Sequence, residues 1–184
     1  MNITSGALLT DLYELTMAQA YLAQGMTDIA VFEFFVRKLP PQRNFFMAAG
    51  LEQVLSYLEA FQFSDADIAW LDQTGGFRPA SLNALRAMRF TGEVHAMPEG
   101  SLFFPHEPIL RITAPLPQAQ LVETRVMNLL NFQTMVASKA CRSVLVAGDK
   151  PLIDFGLRRA HGAEAGLLAA RAAYLAGLAG TSNL

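Results

Sequence analysis

The sequence predicts an α/β protein: an α+β region first, then the opening of an alternating helix-and-strand array. Three observations predict this. Hydrophobic residues make up 52% of the 184 and charged residues 16%, a balance that can bury a core and does not suit a disordered chain. Helical and β-type patterns are mixed through residues 7–114, separated by prolines and glycines. Beyond Pro117 a long helical pattern gives way to a short apolar run and then an Ala-rich helical pattern, which is how an α/β unit begins.

The elements follow in order. In residues 7–24, Leu8, Leu12, Leu15 and Tyr21 recur near a helical period, and Gly25 is a stop signal. The run IAVFEFFV at 29–36 is β-branched and aromatic and predicts a strand. LPPQRN at 39–44 predicts a loop, because its prolines lack a backbone donor. Residues 50–60 predict a helix with Leu51, Val54, Leu55 and Leu58 on one face. Ser64 followed by Asp67 has the form of an N-cap with an acid at the third position, opening a short helix through Leu71 that Gly75 and Gly76 break. Another helix is expected over 79–88.

Between 90 and 114, Phe90, Val94, Phe103, Phe104, Ile109, Leu110 and Ile112 sit among prolines and glycines, a pattern of short strands and tight turns. The character changes near 115–120, which divides the chain into domains 1–117 and 118–184. A long helix follows, with Val122, Val126, Leu129, Gln133, Val136 and Ala140 on one face and Gly148 at its end. PLIDF at 151–155 predicts a short buried strand leading into a turn at Gly156, and an Ala-rich helix is expected over 163–176.

Composition narrows the function classes. A formal net charge of −2 gives no basic surplus for nucleic acid or an anionic membrane. Cys141 is a lone cysteine within an apolar helical stretch, which reads as a small buried side chain rather than a nucleophile and fits a reducing, cytoplasmic setting. Met1 to Thr10 lacks a basic segment followed by a long apolar run, so no signal peptide is expected. The most apolar segment, Ala165 to Ala179, is interrupted by Arg171 and is too short to span a bilayer. It reads as a helix packed closely inside a globular protein.

Four segments can carry chemistry. In LTDLYELT at 9–16, Asp11 and Tyr13 flank Leu12 near a helix start; on the residues alone a dipole-favoured acid and a core aromatic are the leading readings. In DFGLRR at 154–159, a strand ends in a turn where α/β enzymes collect ligands. There Gly156 lets the backbone turn sharply, Phe155 offers a flat face, and Arg158 offers a fork of donors for a carboxylate or phosphate. A turn with two solvated arginines is an equal alternative. GTSNL at 180–184 can present backbone N–H groups to an anion, although an ordinary turn explains it as well. Arg37 and Lys38 end a strand and can meet a phosphate, or form a solvated basic pair. His95, His106 and His161 have no metal-binding spacing. Asp65 and Asp67 read as capping residues, and Glu93, Glu99 and Glu107 as surface or turn residues.

Taken together, LLTDLYELTMAQAY at 8–21, VFEFFVRKLP at 31–40, AAGLEQVLSYL at 48–58, ETRVMNLLNFQTMVASKA at 123–140 and DFGLRRAHGAEAGLLAARAAYLAGLAGTSN at 154–183 resemble the nicotinate phosphoribosyltransferase family in order and separation. The resemblance implies an N-terminal α+β domain joined to an irregular α/β barrel. It implies transfer of 5-phosphoribosyl from phosphoribosyl pyrophosphate to nicotinate in NAD salvage, coupled to ATP hydrolysis and assisted by Mg²⁺. It maps Tyr13 and Phe155 to the two rings that sandwich the pyridine, and Arg158, with Gly156 in the turn, to the neighbourhood of the base and phosphoribosyl group. Asp11 maps to the acid beside the stacking tyrosine and Arg37 to a diphosphate contact. Ser182 stands where nicotinamide-using relatives carry an Asp; a serine tolerates a carboxylate that an Asp would repel. The tyrosine reaching a neighbouring subunit implies a homodimer with shared sites. The phosphorylated histidine of the family is expected downstream of Leu184, so no catalytic residue is expected in these 184 and little activity from them alone. Nicotinamide or quinolinate transfer, or a non-catalytic ligand- or partner-binding remnant, are the competing readings.

Overall fold

The structure, a computed structural model, describes residues 6–183. The elements run α1 (Leu12–Ala23), β1 (Ile29–Phe34), β2 (Phe46–Met47), α2 (Leu51–Glu59), α3 (Asp65–Gln73), α4 (Pro79–Ala87), β3 (Glu93–Ala96), β4 (Leu102–Phe103), β5 (Leu110–Pro115), α5 (Leu116–Leu121), α6 (Glu123–Ala147), β6 (Ile153–Asp154), a 3₁₀ turn (Leu157–Arg159), α7 (Ala163–Leu175) and β7 (Gly180–Thr181). They form two compact units, each assembled from three stretches of chain. Residues 6–33, 53–95 and 111–127 make the first, and 34–52, 96–110 and 128–183 the second.

The first unit holds α1, most of α2, α3, α4 and α5, with the greater part of a three-stranded sheet in the order β1-β5-β3. Buried and less buried residues alternate along β5, with Leu110, Ile112 and Ala114 inward, as a sheet covered on one face requires. The core is aromatic as well as aliphatic. Tyr57 meets Phe61 edge-on at 5.8 Å, and Phe61 meets Phe63 at 5.9 Å, the geometry that ring quadrupoles favour. Ser64 and Asp67 form the complete capping box: Asp67 N donates to Ser64 Oγ at 3.1 Å and Ser64 N to Asp67 Oδ2 at 2.8 Å.

The expected helix over 7–24 starts later, at Leu12. The amide of Leu9 donates to the carbonyl of Gly6 in a turn, and Asp11 is extended (φ −82°, ψ 146°) at the N-cap. Gly25 ends the helix at φ +68° as expected. The single long helix expected after Pro117 is instead two, α5 and α6, joined at Val122.

In the second unit, β2 pairs antiparallel with β4, placing Phe46 opposite Phe103. Both rings are fully buried and stack at 5.4 Å among Ala48 and Ile109. A second cluster gathers Ala49, Ala137, Cys141, Ala172 and Ala176. Cys141 is buried there, as its apolar setting predicted. Its neighbours are almost all alanines, and such small side chains let helices approach closely. α7 is less enclosed than expected. Its buried residues are Gly166, Ala170, Ala172 and Ala173, whereas Leu167 and Tyr174 are 60% and 66% exposed. The strand expected over 151–155 is confined to Ile153–Asp154. GTSNL opens not as a turn but as a strand, β7, which pairs with β6. No helix among the described residues is long and apolar enough to cross a membrane.

Candidate active site

β6 and β7 run parallel, with Ile153 opposite Gly180 and Asp154 opposite Thr181. The chain therefore leaves both carboxyl ends side by side, into Phe155-Gly156 and into Ser182-Asn183. Loops at such ends are where open α/β sheets bind ligands. Asp154 joins them. Its carbonyl accepts the Ser182 amide at 2.9 Å, and its Oδ2 accepts Thr181 Oγ1 at 3.0 Å and Asn183 Nδ2 at 2.8 Å. The sequence reading singled out the neighbours of Asp154 and missed this clasp, because its partners lie nearly thirty residues away.

The ring of Phe155 is 59% exposed. Arg158 stands with its guanidinium carbon 5.3 Å from the ring centroid, within cation–π range. Gly156 does not turn the chain by a left-handed conformation; its φ of −98° is open to any residue. What glycine supplies is room, since a Cβ there would lie 3.2 Å from Asp154 Oδ1. The structure thus brings Phe155, Gly156, Arg158 and Ser182 together around Asp154.

An open pocket of about 660 Å³ borders this turn, lined by Asp154, Phe155, Gly156, Phe132, Met135 and the cationic Arg43, Lys139 and Arg159. Its size suits a small-molecule ligand. Two flat rings and three cations against a single acid favour a flat anion. Arg159 faces the pocket, whereas Arg158 packs over Phe155. Neither Arg43 nor Lys139 stood out in the sequence, being isolated cations in a loop and a helix. Arg37 occupies an exposed bend just past β1. His161 is exposed and carries no assigned role.

Tyr13 and Asp11 belong to the first unit. Tyr13 is 48% exposed, not the core aromatic that composition favours. Asp11 makes no side-chain cap; its Oδ2 accepts Thr124 Oγ1 at 2.7 Å. Between them in space stands Glu14, fully buried. Glu14 accepts the Thr10 hydroxyl, the Thr124 amide at 3.1 Å and the Thr124 hydroxyl at 2.8 Å, with Tyr13 Oη 3.4 Å away. Burial raises the Glu14 carboxyl and the nearby Glu123 charge adds to this, outweighing the hydroxyl and amide donors that pull it down. Partial desolvation and the negative charges of Glu123, Glu14 and Asp11 push the Tyr13 phenol up, so the ring presents a neutral hydroxyl.

Glu99 sits in a turn, as expected, but not at the surface. Its carboxylate is largely enclosed and accepts the amides of Gly50 (2.6 Å) and Leu51 (3.1 Å) and two donors of Arg171 (2.9 and 2.7 Å). Burial alone would raise the Glu99 carboxyl, but these donors and the Arg171 charge together hold it below the usual carboxylate range.

The family described as nicotinate phosphoribosyltransferase (NAPRTase) N-terminal domain matches residues 8–131. The chain belongs to the nicotinate phosphoribosyltransferase family. It is 54% identical over 179 residues to nicotinate phosphoribosyltransferase pncB2 of Mycobacterium tuberculosis, covering 97% of this chain and 39% of that protein. It is 43% identical over 179 residues to the nicotinate phosphoribosyltransferase of Bacillus subtilis, covering 97% and 36%. The crystal structure of human nicotinic acid phosphoribosyltransferase superposes with a TM-score of 0.87 at 42% identity, covering 95% of this chain and 36% of that one. The chain thus spans well under half the length of these nicotinate phosphoribosyltransferases.

Proposed function

We propose that the protein transfers the 5-phosphoribosyl group from phosphoribosyl pyrophosphate to nicotinate, yielding nicotinate mononucleotide and pyrophosphate in cytoplasmic NAD salvage. The observation that carries this is the exposed Phe155 ring on the wall of a pocket bearing Arg43, Lys139 and Arg159, in a chain of this family. Nicotinate is a flat ring with one negative charge, and such a wall offers a stacking face beside cations.

The reaction joins the pyridine nitrogen lone pair to ribose C1′ as the C1′–oxygen bond breaks, and pyrophosphate departs with that electron pair. The protein's task is to hold the reactants in line and offset charge on the leaving group. Phe155 holds one face of the base. Tyr13 of a second copy holds the other in a homodimer with shared sites, with Asp11 beside it. Arg158 steadies the Phe155 ring and lies near the phosphoribosyl group, and Arg37 meets the diphosphate. Ser182 tolerates the carboxylate of the acid substrate, where an Asp would repel it.

ATP is proposed as co-substrate, its phosphoryl group carried by a histidine beyond Leu184. Among the described residues no three of His, Cys, Asp and Glu group to hold a metal ion. Mg²⁺ is proposed to arrive with the pyrophosphate moiety, its remaining ligands being water and substrate oxygens. The test is turnover by the full-length protein with phosphoribosyl pyrophosphate, ATP and Mg²⁺, with nicotinate, nicotinamide and quinolinate in competition. Nicotinate is expected to win, and Phe155→Ala to raise its KM at least about tenfold through loss of stacking. Preference for nicotinamide would defeat the Ser182 argument, and an unchanged KM in Phe155→Ala the stacking argument.

A further inference from the structure

We propose that Arg171, paired with Glu99, is a positioning residue for the Phe155 turn. The inference rests on the base-binding role given above to Phe155, and begins from how α7 is held. Its fully buried side is Gly166, Ala170, Ala172 and Ala173, so its deepest apolar grip is a bare glycine and three methyl groups. Burial of methyls is non-directional and does little by itself to fix the rotation of the helix about its axis.

Both ends of α7 are coupled to the site. Near its start, a Cβ on Gly166 would fall 2.4 Å from Leu157 Cδ1 and 3.4 Å from Ala160 Cβ, so the helix backbone rests directly on the 3₁₀ turn that follows Phe155. Beyond its end, the chain enters β7, which pairs with β6 and is clasped by Asp154. A small rotation of α7 therefore shifts the turn on both sides of Phe155.

Arg171 supplies the direction that the alanines lack. Its Nη1 donates to Glu99 Oε1 at 2.9 Å and Gln133 Oε1 at 3.3 Å, its Nη2 to Glu99 Oε2 at 2.7 Å, and its Nε to Glu52 Oε2 at 3.1 Å. A planar guanidinium bonded to two carboxylates and an amide fixes one orientation. Glu99 is itself anchored by the Gly50 and Leu51 amides. The chain of contacts runs from the start of α2 through Glu99 and Arg171 to α7, and from α7 to Phe155.

The test uses the full-length protein and the variants R171M and R171K, each alone and with F155A. Hydrogen exchange is followed at residues 153–160 and 180–183, with 64–76 as control. R171M is expected to speed exchange at the first two segments about tenfold while leaving the control unchanged, and R171K to fall between R171M and wild type. In turnover, R171M should raise the KM for nicotinate about tenfold, since a misplacement of about 1 Å is worth up to a hundredfold, with a smaller change in kcat. In the F155A background that rise should disappear. Wild-type exchange at 153–160 in R171M, equal acceleration of the control, or the same rise in KM with and without Phe155 would each overturn the proposal. If the wild-type protein turns over no nicotinate, the proposed function fails, and exchange alone still decides whether Arg171 positions the turn.

Discussion

Replacing Gly50 by alanine tests the junction that leads into α2. Gly50 lies at φ +106°, outside the regions an L-residue occupies without strain, and such a conformation costs about 1–3 kcal/mol. The added Cβ would sit 2.7 Å from the carbonyl oxygen of Leu129 and 3.1 Å from Gln133 Nε2. The carbonyl belongs to α6 and cannot swing aside as a side chain can, so overpacking adds about 1–3 kcal/mol. Together these predict a loss of about 2–6 kcal/mol, a large share of the 5–15 typical of a domain. For a chain of this size that is a fall in Tm of about 5–20 °C. Gly25 is the internal control: it too has positive φ, at +68°, but a Cβ there meets nothing within 4 Å. Urea unfolding of wild type, G25A and G50A separates the contributions. G25A should lose about 1 kcal/mol, and G50A clearly more. If the two variants unfold at the same midpoint, the contact with Leu129 is not the reason Gly50 is a glycine.

Three further outcomes are expected. Ser64→Ala removes one arm of the capping box on α3 and should cost about 1 kcal/mol in urea unfolding; a change within error would mean the cap is solvated without penalty. Phe46→Ala empties the fully buried stack with Phe103 and should cost about 3–5 kcal/mol, with a cost under 1 kcal/mol contradicting the packing. Glu14→Gln should stabilise the protein at neutral pH. The raised folded carboxyl makes its contribution complete below the ordinary carboxylate pKa of about 4.3 and lost as pH rises through the folded value. Glutamine never ionises and keeps that contribution, so the advantage of the variant should shrink towards zero below about pH 4; a variant less stable than wild type at pH 7.5 would refute this. Glu99 carries the opposite sign, its lowered carboxyl giving stability that is present at neutral pH and lost in acid.

Local chemistry made much of the fold legible. The Ser64–Asp67 box, the stop at Gly25, the proline loop at 39–44 and the end of α6 at Gly148 are written in residues a few positions apart, and each stands where its chemistry places it. The two-residue strands β2, β4, β6 and β7 were harder, because a strand that short has no period to read and exists only through its partner. The same limit hid the polar clusters. Glu99 finds Arg171 across 72 residues and Glu14 finds Thr124 across 110. Nothing adjacent to either glutamate distinguishes it from a solvated one, and only the fold withdraws it from water.

The candidate site was only half legible: on its residues the DFGLRR turn read equally as a ligand site or as a turn with two solvated arginines, and the exposure that marks Phe155 appears only in the fold. An aromatic ring gains about 25 cal/mol for each Å² it removes from water, so a phenylalanine left 59% exposed on a turn forgoes most of what its side chain offers to folding. Phe155 does so on the wall of a pocket that gathers three cations around one acid. Neither feature stabilises the chain, and the flat anion proposed as substrate would relieve both at once by covering the ring and neutralising the cations. A buried Phe155 would strengthen the fold and leave the base nothing to stack on. On the function proposed above, the exposure of Phe155 and its use as a stacking face have one origin. With its ring largely facing solvent and only Arg158 over it, Phe155 has little packing of its own to orient it, which is why the proposed support from α7 and Arg171 would matter.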